Sequence, residues 1–163
     1  MVDAAGPHPA TLRRVLGHYP SGVTVVTAVS DGVPVGFACQ SFHSLSLDPP
    51  MILVLPGRGS TTWPKIRQTG SFCVNILAQE QADLCQAFAV SGGEKFRGVD
   101  WRLSDQGSPI IAGASAWIDC DLVGEHDGGD HTIAVGLVMG LESDESRAPL
   151  IFHRGAFHTL EHV

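Results

Sequence analysis

Val23-Thr-Val-Val-Thr-Ala-Val29 is followed almost at once by Asp31-Gly32, and this pairing constrains the fold more than any other stretch. A run dominated by β-branched side chains favours a strand. Asp-Gly signals a hairpin because glycine readily supplies positive φ, so the chain from Val33 returns beside the run. The return strand changes character near Cys39. Gln40, Ser41, His43, Ser44 and Ser46 then crowd amide, hydroxyl and imidazole groups together. Asp48-Pro49-Pro50 stops the segment, since proline fixes φ, lacks an N–H and pushes the preceding residue to an extended conformation. Met51–Leu55 has the composition of a fully buried strand. A hydroxyl-rich bend of small residues between buried strands lets a flat polar ligand approach the backbone. The plain alternative is a serine-rich surface turn.

The flanking chain supplies more short elements. Residues 1–9 are expected to be flexible. Leu12, Val15, Leu16 and Tyr19 fall at i, i+3, i+4 and i+7, one face of a helix with Arg13, Arg14 and His18 on its other side, and Pro20-Ser21-Gly22 ends it. Short helices are predicted at about Thr61–Gln68 and at Gln79–Phe88. Strands are predicted at Ser71–Leu77, Ala114–Val123, Thr132–Leu141 and Pro149–Phe157. With 19 glycines and 10 prolines, many short elements joined by turns are expected. There is no βα alternation and no internal repeat. The pattern predicts one domain, 1–163, mainly β with peripheral helices, in an antiparallel barrel that is closed or nearly so.

The net charge of −7 argues against nucleic acid or an anionic membrane surface as a partner. No apolar run is long enough to span a bilayer, and Met1–Pro9 lacks a basic start and an apolar signal core, so a cytoplasmic protein is expected. Cys39, Cys73, Cys85 and Cys120 form no C-x-x-C pair and should be reduced there. Cys73 and Cys120 sit in apolar strand patterns as small core residues. Cys39 adjoins the polar bend, but no base stands beside it in sequence to make it a nucleophile.

Three further stretches carry chemistry. Gly57-Arg58-Gly59-Ser60-Thr61-Thr62 follows a buried strand and leads into a helix. A third glycine and a βαβ frame are missing, so this is not a dinucleotide-fold fingerprint. Free N–H groups, hydroxyls and Arg58 at a helix start nevertheless suit a phosphate, unless Ser60 serves only as the helix cap. Lys95 beside Phe96 suits an anion and a ring edge, or is an ordinary surface lysine. In Glu125–His131, a charged turn between two predicted strands, His126 and His131 raise the question of a metal, but no third ligand is in reach by sequence. The alternatives are a solvated hairpin and a histidine held over a cofactor.

Taken together, Tyr19–Thr27, Pro34–Pro50, Ser60-x-Thr62, Phe72–Leu77, Lys95-Phe96, Gly129-Asp130-His131 and Pro149–Gly155 resemble, in order and over nearly the whole chain, the flavin reductase components of two-component flavin-dependent monooxygenases. The finer likeness is to reductases serving phenol-type hydroxylases of aromatic catabolism, including those that act on opened steroid rings. The resemblance implies an FMN-binding type of fold, an antiparallel Greek-key split β-barrel, commonly a homodimer. It implies NADH or NADPH as hydride donor, with NADH favoured, FMN or FAD as acceptor, no metal, and a separate oxygenase as partner.

By the same resemblance the backbone of Ala38, Cys39, Gln40 and Ser41 lines the isoalloxazine, with Ser44 and Ser46 near its polar edge or ribityl chain. Ser60 and Thr62 take the phosphate, and Lys95 and Phe96 close over the flavin. His131 contacts the nicotinamide, His153 and Arg154 shape that side, and Arg14 reaches the dinucleotide. Two positions depart from the family pattern: Gln40 stands where asparagine is usual, and Phe152 where tyrosine is frequent. The competing readings are a flavin-binding module of the same fold without turnover, and a metal-dependent barrel enzyme using His126, His131 and His153.

Overall fold

The computed structural model describes residues 6–160. The flexibility expected for residues 1–9 therefore falls, as far as residue 5, outside the described residues. Helix α1, Pro9–Leu16, begins on a proline whose missing N–H costs nothing at that position, and His8 caps it by accepting from the Ala10 N–H. Strands β1 (Ser21–Gly22), β2 (Thr24–Ser30), β3 (Val33–Cys39), β4 (Phe42–Leu47) and β5 (Pro50–Val54) follow. The hairpin β2–β3 turns on Asp31 and Gly32, both at positive φ, as the sequence pattern predicts. Helix α2 is Trp63–Thr69, β6 is Ser71–Ile76, and helix α3 is Ala82–Ala89. Then come β7 (Trp101–Leu103), β8 (Pro109–Ile111), β9 (Ala116–Gly128), β10 (His131–Ser143), β11 (Ile151–His153) and β12 (Ala156–His158).

Seven strands form one antiparallel sheet in the order β3-β2-β6-β9-β10-β5-β4. Its two edges, β3 and β4, are consecutive in the chain and joined only by Gln40-Ser41. Adjacent Cα atoms are about 3.8 Å apart, so this link holds Cys39 and Phe42 within roughly 11 Å of each other. The sheet must therefore curl until its edges nearly meet. Among the described residues no ladder joins β3 to β4, so the curl stays open along a seam. Two smaller sheets, β1-β11-β12 and β7-β8, complete the fold.

One apolar cluster fills the curl, with Val26, Val54, Phe72 and Val74 meeting Trp63 and Ile66 of α2. The other lies between the sheet and α3, where Val25, Leu77, Phe88, Ile111 and Leu150 pack. Gly36 admits α3: a Cβ there would lie 3.0 Å from the Phe88 ring. A polar hub joins the layers. Fully buried Asn75 donates to the Val25 carbonyl and the Thr27 hydroxyl, and accepts from the Ile111 N–H at 2.8 Å. Such a group is tolerated inside because it is satisfied.

Several boundaries differ from expectation. Strands β9 and β10 run 13 residues each, so Glu125, His126 and Asp127 belong to a strand, and Gly129-Asp130 alone makes the turn. Backbone pairing continues past the core because the ladder satisfies N–H and C=O groups whatever the side chains are. The last predicted strand is instead a hairpin, β11–β12, turning on Arg154 and Gly155 at φ +52° and +83°. The helix expected at Gln79–Phe88 opens with a 3-10 turn, Gln79–Gln81, before α3. Helix α1 buries none of its residues, and Leu12, Val15 and Leu16 stay exposed. No helix among the described residues is long and apolar enough to cross a membrane.

Candidate functional site

Four clefts run into one another through shared walls along β3 and the Gln40 link. The largest, about 730 Å³, lies between α1 and the β11–β12 turn and is walled by Arg13, Arg14, Tyr19, Gln40, Phe152 and Arg154. Gln40 and Phe152 are also walls of the next, about 200 Å³, whose floor is Ala38, Cys39 and Cys85. Ala38 and Ala89 connect that cleft to a third of about 160 Å³, lined by Phe37, Ser60, Thr61, Thr62 and Lys95. Thr61, Thr62 and Lys95 open in turn into a fourth of about 470 Å³, with Val33–Gly36, Lys65, Phe96 and Arg97.

The structure thus brings Ala38, Cys39, Gln40, Ser60, Thr62, Lys95 and Phe96 onto one groove, and Arg14 and Arg154 onto the cleft that meets it at Gln40. Ser60 has two faces. Its Oγ accepts from the Thr62 N–H at 3.3 Å and the Trp63 N–H at 3.0 Å, which caps α2. The N–H groups expected to be free at this helix start are therefore used, and the hydroxyls of Ser60, Thr61 and Thr62 remain as donors to the groove. Arg58 lines a separate cleft of about 250 Å³ that shares Ser60 with the groove, while its guanidinium pairs with Asp127 and its N–H donates to the Asp130 carbonyl.

Lys95 is held in place. Its ammonium donates to the carbonyls of Phe88 at 3.1 Å and Gly36 at 3.3 Å, and burial lowers its pKa from the ordinary lysine value. Phe96 packs edge-on against Phe88, with ring centroids 5.0 Å apart, and against Trp101. Cys39 is buried, and desolvation pushes its thiol up to about 11, so it is no nucleophile at neutral pH.

The remaining expected residues stand outside these four clefts. Ser44 and Ser46 lie on β4 opposite Ile52 and Met51. Ser41 points its carbonyl inward, where it accepts from the Leu55 N–H at 3.0 Å. His153 packs against His158 with the rings tilted by 59° and their centroids 5.9 Å apart.

His131 begins β10 and forms a bridge with Gly57, on which a Cβ would lie 3.9 Å from Nε2. Its Nδ1 meets Asp130 Oδ1 at 2.7 Å. That hydrogen bond holds the Asp130 carboxyl below its usual range, the His131 charge adds to it, and Arg13 contributes more weakly from α1. His126 pairs with Ile133 two register steps from the turn, and among the described residues no three His, Cys, Asp or Glu side chains converge as a metal site.

Thr61, part of the hydroxyl run that the sequence offered to a phosphate, lines the third and fourth clefts. Arg13, Lys65 and Arg97 also line the clefts although the sequence did not single them out for a ligand. They are ordinary solvent-facing cations in sequence, and only the tertiary fold gathers them.

Comparison with known proteins gives a consistent result. The family described as flavin reductase like domain matches residues 16–161. The reductase subunit HsaB of a flavin-dependent monooxygenase from Rhodococcus jostii is 48% identical over 98% of this chain and 82% of its own length. SmoA of Agrobacterium fabrum, an FMN reductase (NADH), is 38% identical over 93% of this chain and 86% of its own length. Among solved structures, nitrilotriacetate monooxygenase component B from Mycobacterium thermoresistibile superposes with a TM-score of 0.91 at 49% identity, covering 93% of this chain and 86% of that one. An NADH:FAD oxidoreductase from Streptomyces globisporus, solved with NAD and FAD fragments, gives 0.89 at 35% identity, covering 93% and 92%.

Proposed function

Because the chain belongs to the flavin reductase family, we propose that it is the reductase of a two-component flavin-dependent monooxygenase, moving hydride from NADH to FMN or FAD and handing the reduced flavin to a separate oxygenase. When bound, the flavin supplies the hydride acceptor at N5, and the nicotinamide supplies the hydride from C4.

One observation carries this reading: a hydroxyl-and-lysine groove and an arginine cleft meet at Gln40. Hydride transfer needs donor and acceptor face to face at about 3–3.5 Å, so two ligand sites must share a wall. The residues present fit a flavin. Phe37, Ala38 and Phe88 offer an apolar, flat-sided surface, while Ser60, Thr61, Thr62 and Lys95 offer hydroxyls and one fixed cation to a phosphate. Arg14 and Arg154, with Arg13, offer guanidinium forks to the pyrophosphate of a dinucleotide. His131, oriented by Asp130, is assigned to position the nicotinamide. Gln40 stands where both ligands meet and orients one or both through its amide.

The architecture is assigned to the split β-barrel type, with the β3–β4 seam as the split. Residues 1–163 are assigned to a single domain. A homodimer is proposed because Leu12, Val15 and Leu16 of α1, and Val123, Met139 and Leu141 of the β9–β10 hairpin, remain exposed in the isolated chain. Four free, buried cysteines suit a reducing compartment, consistent with the cytoplasm.

The test is oxidation of NADH and NADPH by purified protein, followed by absorbance, with FMN or FAD added. Rapid oxidation dependent on added flavin is expected, faster with NADH. Tight flavin binding without oxidation would instead leave a flavin-binding module.

A further inference from the structure

Two segments that serve opposite sides of the proposed reaction meet at one carboxylate. The flavin side is the chain from Ser60 to Thr62, which lines the third cleft together with Phe37. The nicotinamide side is His131 at the start of β10. The backbone ties the two together as far as Arg58. Gly57 bridges His131, the Thr132 N–H donates to the Pro56 carbonyl at 2.9 Å, and the Arg58 N–H donates to the Asp130 carbonyl at 2.9 Å. From Gly59 to Trp63, among the described residues, no backbone hydrogen bond reaches β9 or β10.

Side chains span that gap. One carboxylate oxygen of Glu125, on β9, accepts from the Trp63 indole N–H at 2.9 Å, and the other faces Arg67 Nε at 3.3 Å. The Trp63 backbone N–H in turn donates to Ser60 Oγ at 3.0 Å. Its buried ring packs edge-on against Phe37 and Phe72, with centroids 6.3 and 6.0 Å apart. A second tie, from Arg58 to Asp127, has side chains 56% and 77% exposed, and an ion pair so open to water contributes little. The Glu125 side chain is 24% exposed, so its charge-assisted bond to the indole is the better shielded of the two.

On its other side Glu125 pairs with Ala134, three residues along β10 from His131. The Asp127–Thr132 and Gly128–His131 pairs carry the ladder over those roughly 10 Å to the histidine. A carboxylate held against Trp63 therefore sets the spacing between Ser60 and His131.

Hydride transfer is sensitive to such spacing, since a misplacement of about 1 Å costs up to roughly 100-fold in rate. We propose that Glu125 is a positioning residue for hydride transfer: through Trp63 it holds the hydroxyl segment in register with the hairpin end that carries His131. The proposal rests on the reductase reading above. It adds a residue that lines none of the clefts described.

The experiment measures flavin reduction by saturating NADH in stopped-flow single turnovers, with the flavin Kd from fluorescence titration. Glu125→Ala should slow reduction at least about tenfold and change the flavin Kd by no more than about twofold. Glu125→Gln keeps an oxygen for the indole and should recover most of the rate. Arg67→Gln removes only the ion pair and should stay within about twofold of wild type. Trp63→Phe removes the indole N–H and keeps an aromatic ring. It should slow the same step, and adding Glu125→Ala to it should slow that step no further. With three tryptophans in the chain, the indole N–H resonances are few enough to follow by NMR. The Trp63 resonance should shift in Glu125→Ala and hold its place in Glu125→Gln.

A shifted resonance with a wild-type reduction rate would make Glu125 structural only and overturn the proposal. So would Glu125→Gln as slow as Glu125→Ala, losses that multiply in the double variant, or flavin affinity that falls in step with the rate. A wild-type rate in Trp63→Phe overturns it even where Glu125→Ala does not fold. In each of these cases the reductase reading survives on the activity of the wild type. If the wild type oxidises no NADH with flavin present, that reading falls and this one falls with it.

Discussion

Lys95→Met separates the architectural work of one side chain from its work on a ligand. The ammonium donates to the Phe88 carbonyl at 3.1 Å and the Gly36 carbonyl at 3.3 Å, so it ties the end of α3 to β3. It also lines both clefts that the proposed phosphate position joins. Methionine keeps the length and the apolar stem and removes the donors and the charge. Hydrogen bonds from a charged donor contribute about 1.5–3 kcal/mol each when well shielded. This site is partly open and water can replace the donor at the released carbonyls, so the expected loss of stability is about 1–2 kcal/mol in total. For a chain of this size that is a fall in Tm of about 2–8 °C by thermal unfolding.

The binding effect of Lys95→Met is distinct. Removing one charge-assisted phosphate contact costs about 1–2 kcal/mol, a rise in the Kd for FMN of roughly 5–30-fold by fluorescence titration. Riboflavin, which has the ring and ribityl chain but no phosphate, should bind the variant and the wild type within about twofold. Equal weakening of riboflavin and FMN would mean that Lys95 acts through the shape of the groove and not through phosphate. No weakening of FMN would remove it from the site.

Three other outcomes are expected. His131→Ala should slow reduction of flavin by NADH in stopped-flow measurements while leaving the flavin Kd unchanged, and an unaltered reduction rate would sink the nicotinamide assignment. Gly136→Ala puts a Cβ 2.8 Å from the Phe72 ring and 3.0 Å from Cys120 Cβ, beside the β9 bulge at Val123, so it should destabilise by about 1–3 kcal/mol in urea unfolding, and a neutral result would show that the bulge relaxes freely. Asp119 is 2% exposed with Oδ1 unpartnered, and burial raises its carboxyl above the usual carboxylate range against hydrogen bonds from Ser104 and Gln106. Its folded pKa exceeds its unfolded one, so its contribution to stability is fully present below the unfolded carboxylate range and is lost as pH rises through the folded value. Asp119→Asn should therefore gain stability over wild type as pH rises from about 4 toward neutrality, and a pH-independent difference would refute the burial argument.

The sequence made some elements plain and hid others for physical reasons. The β2–β3 hairpin was legible because Asp31-Gly32 writes its own turn and the β-branched run writes its own strand. The far ends of β9 and β10 were not, since glutamate, histidine and aspartate carry no strand preference and pair there only because their neighbours already do. The helical spacing of Leu12, Val15 and Leu16 located α1 but said nothing of its burial, which depends on what lies beside it. In the site, the bend at Ala38–Gln40 and the hydroxyls at Ser60–Thr62 stood out through unusual local chemistry. Ser60 also caps α2, so the two sequence readings of it are compatible. Lys65, Arg97 and Arg13 had no such mark, and neither did Asn75, whose hub role comes wholly from strands distant in the chain.

The open seam has a kinetic consequence. A flavin in the position proposed above, along β3, would leave without opening a ladder, because among the described residues β3 and β4 share none. Its residence time is then set by a few side-chain contacts and not by the breathing of the sheet. Native-state amide exchange should register this as flavin-dependent protection confined to the seam and the loop before β7, with β6 and β9 unmoved. A protein whose product is another enzyme's reagent gains from that separation: the scaffold stays rigid while the reduced flavin departs on the timescale its consumer requires.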